Sequence, residues 1–380
     1  MDKRPKIAIL IGFPTKPRIN KRIALESSLA DVHVIFWDRG NGIPYSTEVE
    51  GYKPYPLKIP MGTNPIWRFF PYRKFISRSM ALLKQIKPDL IHVQGLDMLK
   101  IACAYKRQVN RNVRIVYEVA DLHWLLVDKQ KHPVKKMIQW YLRREENRLK
   151  NQYDLLILTC EKYYDVYFKA LVEPERMLYM PNIPDLSAFR SYEKKEENEP
   201  YTVGYIGVIR YKKQMVNLLE AAKKTGVQLL VAGYEEGSAE IESMCKQDPN
   251  ITWVGGFDFA TQAAQLYGKC DVMYCVYDAD MHNVQVALPN KLYEAVYCEM
   301  PLIAAKNTHL AELVEQWGVG FAIDHREPDE LIALLEQLRD REIPLDTIVA
   351  NCRQRKADMD LALYNQKLKA WLNRLLALSE

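Results

Sequence analysis

No Cys-x-x-Cys pair occurs in this chain of 380 residues, whose seven cysteines are scattered at Cys103, Cys160, Cys245, Cys270, Cys275, Cys298 and Cys352. That usage argues against a disulfide framework and a zinc site, and fits a reducing cytoplasm. The start, Met1-Asp-Lys-Arg-Pro-Lys-Ile, runs straight into an apolar strand-like stretch without the pattern of a signal peptide. No window approaches the ~20 apolar residues that cross a bilayer. The expectation is a soluble or peripheral protein. Heptads, short-period repeats and low-complexity tracts are also missing. So are the Walker loop and the Gly-x-Gly-x-x-Gly fingerprint, which disfavours an NAD-dependent oxidoreductase. Without a recognisable nucleic-acid module, the basic residues give no reason to expect nucleic-acid binding.

What is present suits two globular domains: 48% hydrophobic residues, and 20 prolines marking frequent turns. The net charge of +5 hides a division. Residues 1–190 carry 33 Lys and Arg against 19 Asp and Glu, and the remainder carries 20 against 29. Halves of opposite charge suggest different partners, although plain surface variation gives the same count.

Apolar runs at 6–14, 32–37, 90–93, 113–117 and 154–158 read as buried strands, with helices expected between several of them, including 98–107 and 133–151. Residues 191–200 are charged and lack apolar periodicity, as a linker does. The alternation then restarts with strands at 202–206, 227–231, 251–254, 272–276, 302–304 and 321–323. Leu361, Leu363, Leu368, Trp371, Leu372, Leu375 and Leu376 form one helical stripe. The pattern predicts an α/β protein with two Rossmann-like, doubly wound parallel-sheet domains facing a cleft. The expected division is 1–190, a linker at 191–200, a second domain at 201–345, and helices at 346–380 packing back on the first domain.

Two stretches of the second domain carry anion chemistry. Around Pro289-Asn-Lys-Leu-Tyr-Glu294 a helix is expected to open with Pro289 in its first turn, where the missing N–H costs nothing. Its free N–H groups, including those at Asn290 and Leu292, with the charge of Lys291, suit phosphate; Glu294 lies one turn along. After the first strand, Gly207 permits close backbone approach, and Arg210 and Lys213 follow as candidate phosphate ligands. A solvated basic turn is the other reading of that loop. Asp278-Ala-Asp280 has the spacing of a metal motif, yet its late position in a sheet domain favours coincidence, and no protein-bound metal is expected.

Gly207 followed six residues on by Lys213, with Arg210 between, resembles the phosphate clamp of GT-B glycosyltransferases of the retaining, nucleotide-sugar family 4 group. Gly233, Gly255-Gly256, Cys270-Asp271 and Gly318-Val-Gly320 are similar to that family's second domain, and Pro289-Asn-Lys-Leu-Tyr-Glu294-Ala is the most specific match. The resemblance implies that Glu294 holds the ribose hydroxyls, while Gly207, Arg210, Lys213, Asn290, Lys291 and Leu292 meet the donor. Arg210 and Lys213 would also act catalytically, on charge growing at the diphosphate. The family's earlier glutamate, eight residues before Glu294, is Val286 here, leaving Asn283, Gln285, Asn290 or backbone N–H groups to grip the sugar.

In the first domain the resemblance places Gly12, Pro14 and Arg18 on the acceptor side, and Asp121 and His123 where a group could hold the acceptor hydroxyl or take its proton. His123 also reads as a packed loop histidine, and Glu26, His33 and His92 read as structural.

The implied activity is transfer of a sugar from a nucleotide-diphosphate sugar, UDP-linked by expectation, to a hydroxyl of a saccharide or lipid-linked saccharide. Capsule or related cell-surface polysaccharide synthesis is the implied setting. The nucleotide-sugar is a co-substrate; no permanently bound cofactor is expected. A sugar-nucleotide 2-epimerase of the same fold and an inactive nucleotide-sugar-binding protein are the alternatives. Aromatic residues interleaved with Lys and Arg at 67–78 and 131–144 fit the headgroup region of an anionic membrane, each basic residue adding ~1 kcal/mol. A packed aromatic cluster beside a solvated basic face fits the same residues. The expected location is cytoplasmic, with the inner face of the cell membrane as the site of any such contact.

Overall fold

The computed structural model describes residues 4–43, 45, 50–61, 69–195, 200–234 and 239–377. Trp67 and Arg68 of the first aromatic-basic stretch, and 196–199 of the expected linker, lie outside these described residues. The chain forms two compact units, Met1–Asn182 with Leu361–Glu380, and Ile183–Asp360.

The first unit is built on seven strands: β1 (Lys6–Ile11), β2 (Asp31–Asp38), β3 (Tyr52–Lys58), β4 (Leu90–Gln94), β5 (Arg114–Val119), β6 (Leu155–Leu158) and β7 (Met177–Tyr179). Their order is β3-β2-β1-β4-β5-β6-β7, and every pair is parallel. A parallel sheet is covered on both faces, so its central strands are apolar throughout. Ile7, Ile9 and Ile11 of β1 share a core with Ile19 and Ile23 of the helix Pro17–Ser27. Leu368, Leu372, Leu375 and Leu376 of the last helix, Leu361–Ala377, complete it, each worth about 1.5–3 kcal/mol when fully buried. The edge strand β3 contains Pro54 and Pro56, whose missing N–H groups are tolerable only at an edge.

The second unit repeats the design with β8 (Thr202–Ile206), β9 (Gln228–Ala232), β10 (Ile251–Gly255), β11 (Val272–Cys275), β12 (Leu302–Ala305) and β13 (Gly320–Ile323). The order is β10-β9-β8-β11-β12-β13, again all parallel. Each sheet therefore has one topological switch point, at β1/β4 and at β8/β11, where loops part at the strand ends and ligands enter. Among the described residues no helix is long and apolar enough to cross a membrane.

The units divide at 182/183 and 360/361, away from the expected 191–200 and 346. The reasons are local. Phe189 packs edge-on against Phe259 and Tyr267, and Lys195 pairs with Asp271 at 2.6 Å, so both residues belong to the second unit. The helix Asp346–Arg355 stays there too, because Asn351 donates to the Gly318 carbonyl and Arg353 reaches Glu299. Only the helix Leu361–Ala377 joins the first unit.

Candidate active site

In the second unit, two glycines at the ends of neighbouring strands let backbone meet backbone. Gly207, after β8, has φ +141° and donates its N–H to the Ala232 carbonyl at 2.7 Å. Gly233, after β9, has φ +143°, and any Cβ there would overlap the Gly207 carbonyl. Both angles lie in a region that glycine reaches without strain.

A Cβ on Gly207 would fall 2.6 Å from Lys291 Nζ. The ammonium from the helix Asn290–Tyr297 thus rests directly on the loop after β8, and over the Tyr205 ring at 5.5 Å. Arg210 is exposed and close enough for its charge to oppose the upward shift that burial gives the Tyr205 hydroxyl. Two separate sequence motifs therefore meet here, with Lys291 over a backbone cradle and Arg210 within electrostatic reach of the same tyrosine.

The remaining predicted donor residues fall around this spot in different ways. Lys213 is the second residue of the helix Lys212–Thr225; its exposed ammonium faces Glu327 at 3.8 Å. Pro289 precedes the helix as its cap instead of opening it, and Asn290, exposed, is the first helical residue. Leu292 is fully buried and its N–H donates to the Pro289 carbonyl, so it supports the helix start by packing.

Glu294 is 5% exposed and accepts a hydrogen bond from the Tyr267 hydroxyl. Burial raises its carboxyl pKa, against the opposing pull of Lys291 and of Tyr267. Val286 is buried at the end of the short helix His282–Val286. Of its expected substitutes, Gln285 donates to the Ala279 carbonyl, whereas the buried Asn283 Oδ1 has no hydrogen-bond partner.

Asp278, Asp280 and His325 bring ligand atoms within 4.8 Å of one another. Arg326 already binds Asp280 at 2.7 Å and would compete with a cation there.

In the first unit the switch point opens on a cavity of about 520 Å³. Gly12, Arg18, Asp121 and His123, distant in sequence, all line it; Pro14 is buried and does not. Asp121 and His123 are exposed at its rim. His123 caps the helix Trp124–Val127, its Nδ1 accepting from the Leu125 N–H, which leaves the neutral ring's proton on Nε2. Arg39, opposite, holds its guanidinium where a Cβ on Gly12 would be 3.5 Å away.

Beneath Arg18 lies a buried charge network. Glu118, at the end of β5, faces Arg18 at 3.4 Å, Arg22 at 3.0 Å and His92 Nε2 at 3.4 Å, while His92 Nδ1 meets Glu26 at 2.5 Å. Burial alone would lower the His92 pKa, but Glu26 and Glu118 outweigh it and raise it to about 9. Burial would likewise raise Glu118, yet Arg22, His92 and Arg18 hold it well below the carboxylate range. Glu26 and His92, read as structural from sequence, fix the helix that carries Arg18. His33, the third of that set, pairs with Tyr55.

Sequence reasoning missed Lys16, Gln94 and Glu146, all of which line the cavity, as does Arg39 of the Trp37-Asp-Arg39 stretch that resembles the family. Of the missed residues only Gln94 carried a signal, as the last residue of a strand bordering a switch point. Glu146 sits in a helix that reads as basic, and nothing in its spacing singles it out.

Two doubly wound parallel sheets, one presenting glycine backbone and a cation at its switch point, give this chain the fold of the GT-B glycosyltransferases it resembles. Residues 189–355 match the family described as glycosyl transferases group 1, so the second unit carries that domain. The chain is 22% identical over 309 residues to the succinoglycan biosynthesis protein ExoL of Rhizobium meliloti, covering 76% of this chain and 74% of that one. Its fold is similar to that of sucrose-phosphate synthase from Thermosynechococcus elongatus (TM-score 0.74, 16% identity, 98% and 100% of the two chains). It is also similar to Anabaena HepE, solved in complex with UDP-glucose (TM-score 0.66, 16% identity, 97% and 99% covered).

Proposed function

We propose that the enzyme transfers a sugar, with retention of configuration, from a UDP-sugar to a hydroxyl of a saccharide or lipid-linked saccharide during cell-surface polysaccharide synthesis. The observation that carries this reading is the seat of Lys291 on Gly207, with Arg210 within electrostatic reach of Tyr205. A backbone cradle with a cation over it suits a diphosphate, whose charge grows as the sugar leaves, and a fixed cation stabilises that charge without reorganising. Lys213 can exchange its exposed partner Glu327 for a phosphate oxygen at little cost, since such surface pairs contribute about 0–1 kcal/mol. Glu294 would receive the ribose, and Asn283 Oδ1 is the group best placed to take over from the glutamate that Val286 replaces. The crystal complex of HepE with UDP-glucose and the succinoglycan role of ExoL agree with this donor class and setting.

The first unit would serve the acceptor, with Asp121 or His123 at the accepting hydroxyl and Gly12 and Arg18 lining its approach. Along the helix Pro133–Leu149, Val134, Met137, Ile138 and Tyr141 are exposed on one face, with Lys135, Lys136 and Arg144 nearby. That stripe fits the headgroup layer of an anionic membrane. Sedimentation with anionic vesicles but not with zwitterionic ones is the expected result, and equal binding to both would remove the electrostatic argument.

The test of the main reading is UDP release from a panel of UDP-sugars, with the anomeric configuration of the product read by NMR. Turnover of at least one donor with a retained anomer is expected. Absence of UDP binding would sink the proposal, and UDP-sugar isomerised without any acceptor would point to the 2-epimerase instead.

A further inference from the structure

Behind Asp121 and His123, the cavity of the first unit contains polar groups to which the reading above gives no role. Glu146 lines it and is 1% exposed. Its Oε1 accepts from the Tyr117 hydroxyl at 2.8 Å, while its Oε2 is buried without a hydrogen-bond partner among the described residues. Gln94, also lining the cavity and 8% exposed, has a buried Oε1 in the same condition.

A buried polar atom without a partner costs about 1–3 kcal/mol, so two of them on one cavity call for an explanation. Both are acceptors. Around them the lining is Met98, Leu126, Leu142 and Phe168, which are apolar. A few fixed acceptors among apolar and aromatic walls match a pyranose ring, which offers hydroxyl donors at its edge and C–H groups on its faces. An anionic group has no match at the two acceptor oxygens, which would repel it. The same lining also carries the cations Lys16, Arg18 and Arg39.

We propose that Glu146 and Gln94 form a sugar-reading site, in which Glu146 Oε2 and Gln94 Oε1 accept hydrogen bonds from hydroxyls of an uncharged pyranose unit of the acceptor. The proposal rests on the reading of the first unit as the acceptor side. Burial, opposed by the Tyr117 hydrogen bond and by Lys100, brings the Glu146 carboxyl to about 7. A hydroxyl donor at Oε2 compensates its ionised form. Both residues are binding groups and take no part in the transfer step.

The experiment uses the full chain and saturation-transfer NMR with methyl β-glucoside, methyl β-galactoside, methyl β-mannoside and cellobiose as probes, alongside calorimetric titration with UDP. At least one pyranoside should bind the wild type. Gln94→Leu and Glu146→Leu should each weaken it about ten-fold or more, the loss expected when a hydroxyl is left facing an apolar group. Gln94→Glu keeps an acceptor oxygen and should retain binding within about three-fold, which a purely structural role for Gln94 would not predict. UDP affinity should stay within about two-fold in all variants. If Glu146→Leu does not fold, the Gln94 pair decides alone. A chain that binds UDP but none of the four probes, or Leu variants that bind them as the wild type does, overturns the proposal. A wild type that fails to bind UDP is a different result, and counts against the glycosyl-transfer reading itself.

Discussion

The two switch points solve the same problem with opposite materials. At β8/β11 the surface is made of backbone: Gly207 and Gly233 bring two loops into contact, and Lys291 lies on top. At β1/β4 it is made of side chains held in place by buried charge, with Glu118 tying Arg18, Arg22 and His92 together under the cavity floor. A backbone cradle can receive any diphosphate, because the groups it offers are the same in every peptide unit. A side-chain cavity is particular to its occupant. On the proposed function, the contrast would have the second unit hold what nucleotide-sugars share and the first tell one saccharide from another.

The sharpest way to break that contrast is to remove the charge beneath the first site. Glu118→Ala leaves Arg22 and His92 buried without their common partner, and losses of this kind run to about 3–5 kcal/mol. Denaturant unfolding measures it, and a loss under about 1 kcal/mol would show that the network is incidental. The same network predicts a pH profile. His92 has a folded pKa of about 9, above its ordinary value of 6.5, so its contribution is complete below pH 6.5 and fades as pH rises through about 9. Glu118 is depressed, so its contribution is complete above its ordinary value of 4.5 and fades as pH falls below it. Stability from this pair should therefore be greatest between about pH 4.5 and 6.5, and the Glu118→Ala variant should show a flatter profile.

Breaking the second site needs only one methyl group. In Gly233→Ala the new Cβ meets the Gly207 carbonyl, which is backbone and cannot swing aside, and φ +143° is strained for alanine. Strain and overpacking of about 1–3 kcal/mol each give an expected loss of about 2–6 kcal/mol, with the proposed UDP site deformed as well. Gly207→Ala meets only the flexible tip of Lys291 and should cost less. Equal losses for the two glycines, read from melting curves, would refute the idea that the loops support each other.

The difference in materials also explains what the sequence made legible. Both sheets and most helices could be read, because central parallel strands are apolar runs; the meeting of Gly207 with Gly233 and Lys291, distant in sequence, could not. β3 escaped notice because Pro54 and Pro56 contradict a strand everywhere except at an edge, and β7, with three residues, is too short for a periodic pattern. The unit boundary was misplaced since a charged stretch looks like a linker, while Lys195 in fact pairs with Asp271. The meeting of Glu146 with Gln94 was invisible for a deeper reason. Their partnership exists only once β4 and the helix Pro133–Leu149 are brought to the same cavity, and no local spacing encodes that meeting.

The smallest expected effect refines the donor site itself. Lys291 is seated on the cradle, whereas Lys213 stands in solvent facing Glu327. Lys291→Ala should therefore weaken UDP by about ten- to a hundred-fold, as expected for losing a charged hydrogen bond worth about 1.5–3 kcal/mol. Lys213→Ala should weaken it by only about three- to ten-fold, because a mobile exposed charge is screened and must be ordered on binding. Neither change should alter uridine binding by as much as it alters UDP, since both cations serve the phosphates, and parallel titrations with UDP and uridine give the comparison directly. A loss for Lys213 that matches or exceeds the loss for Lys291 would make the loop after β8 the principal phosphate grip. The helix Asn290–Tyr297 would then matter chiefly for placing Glu294.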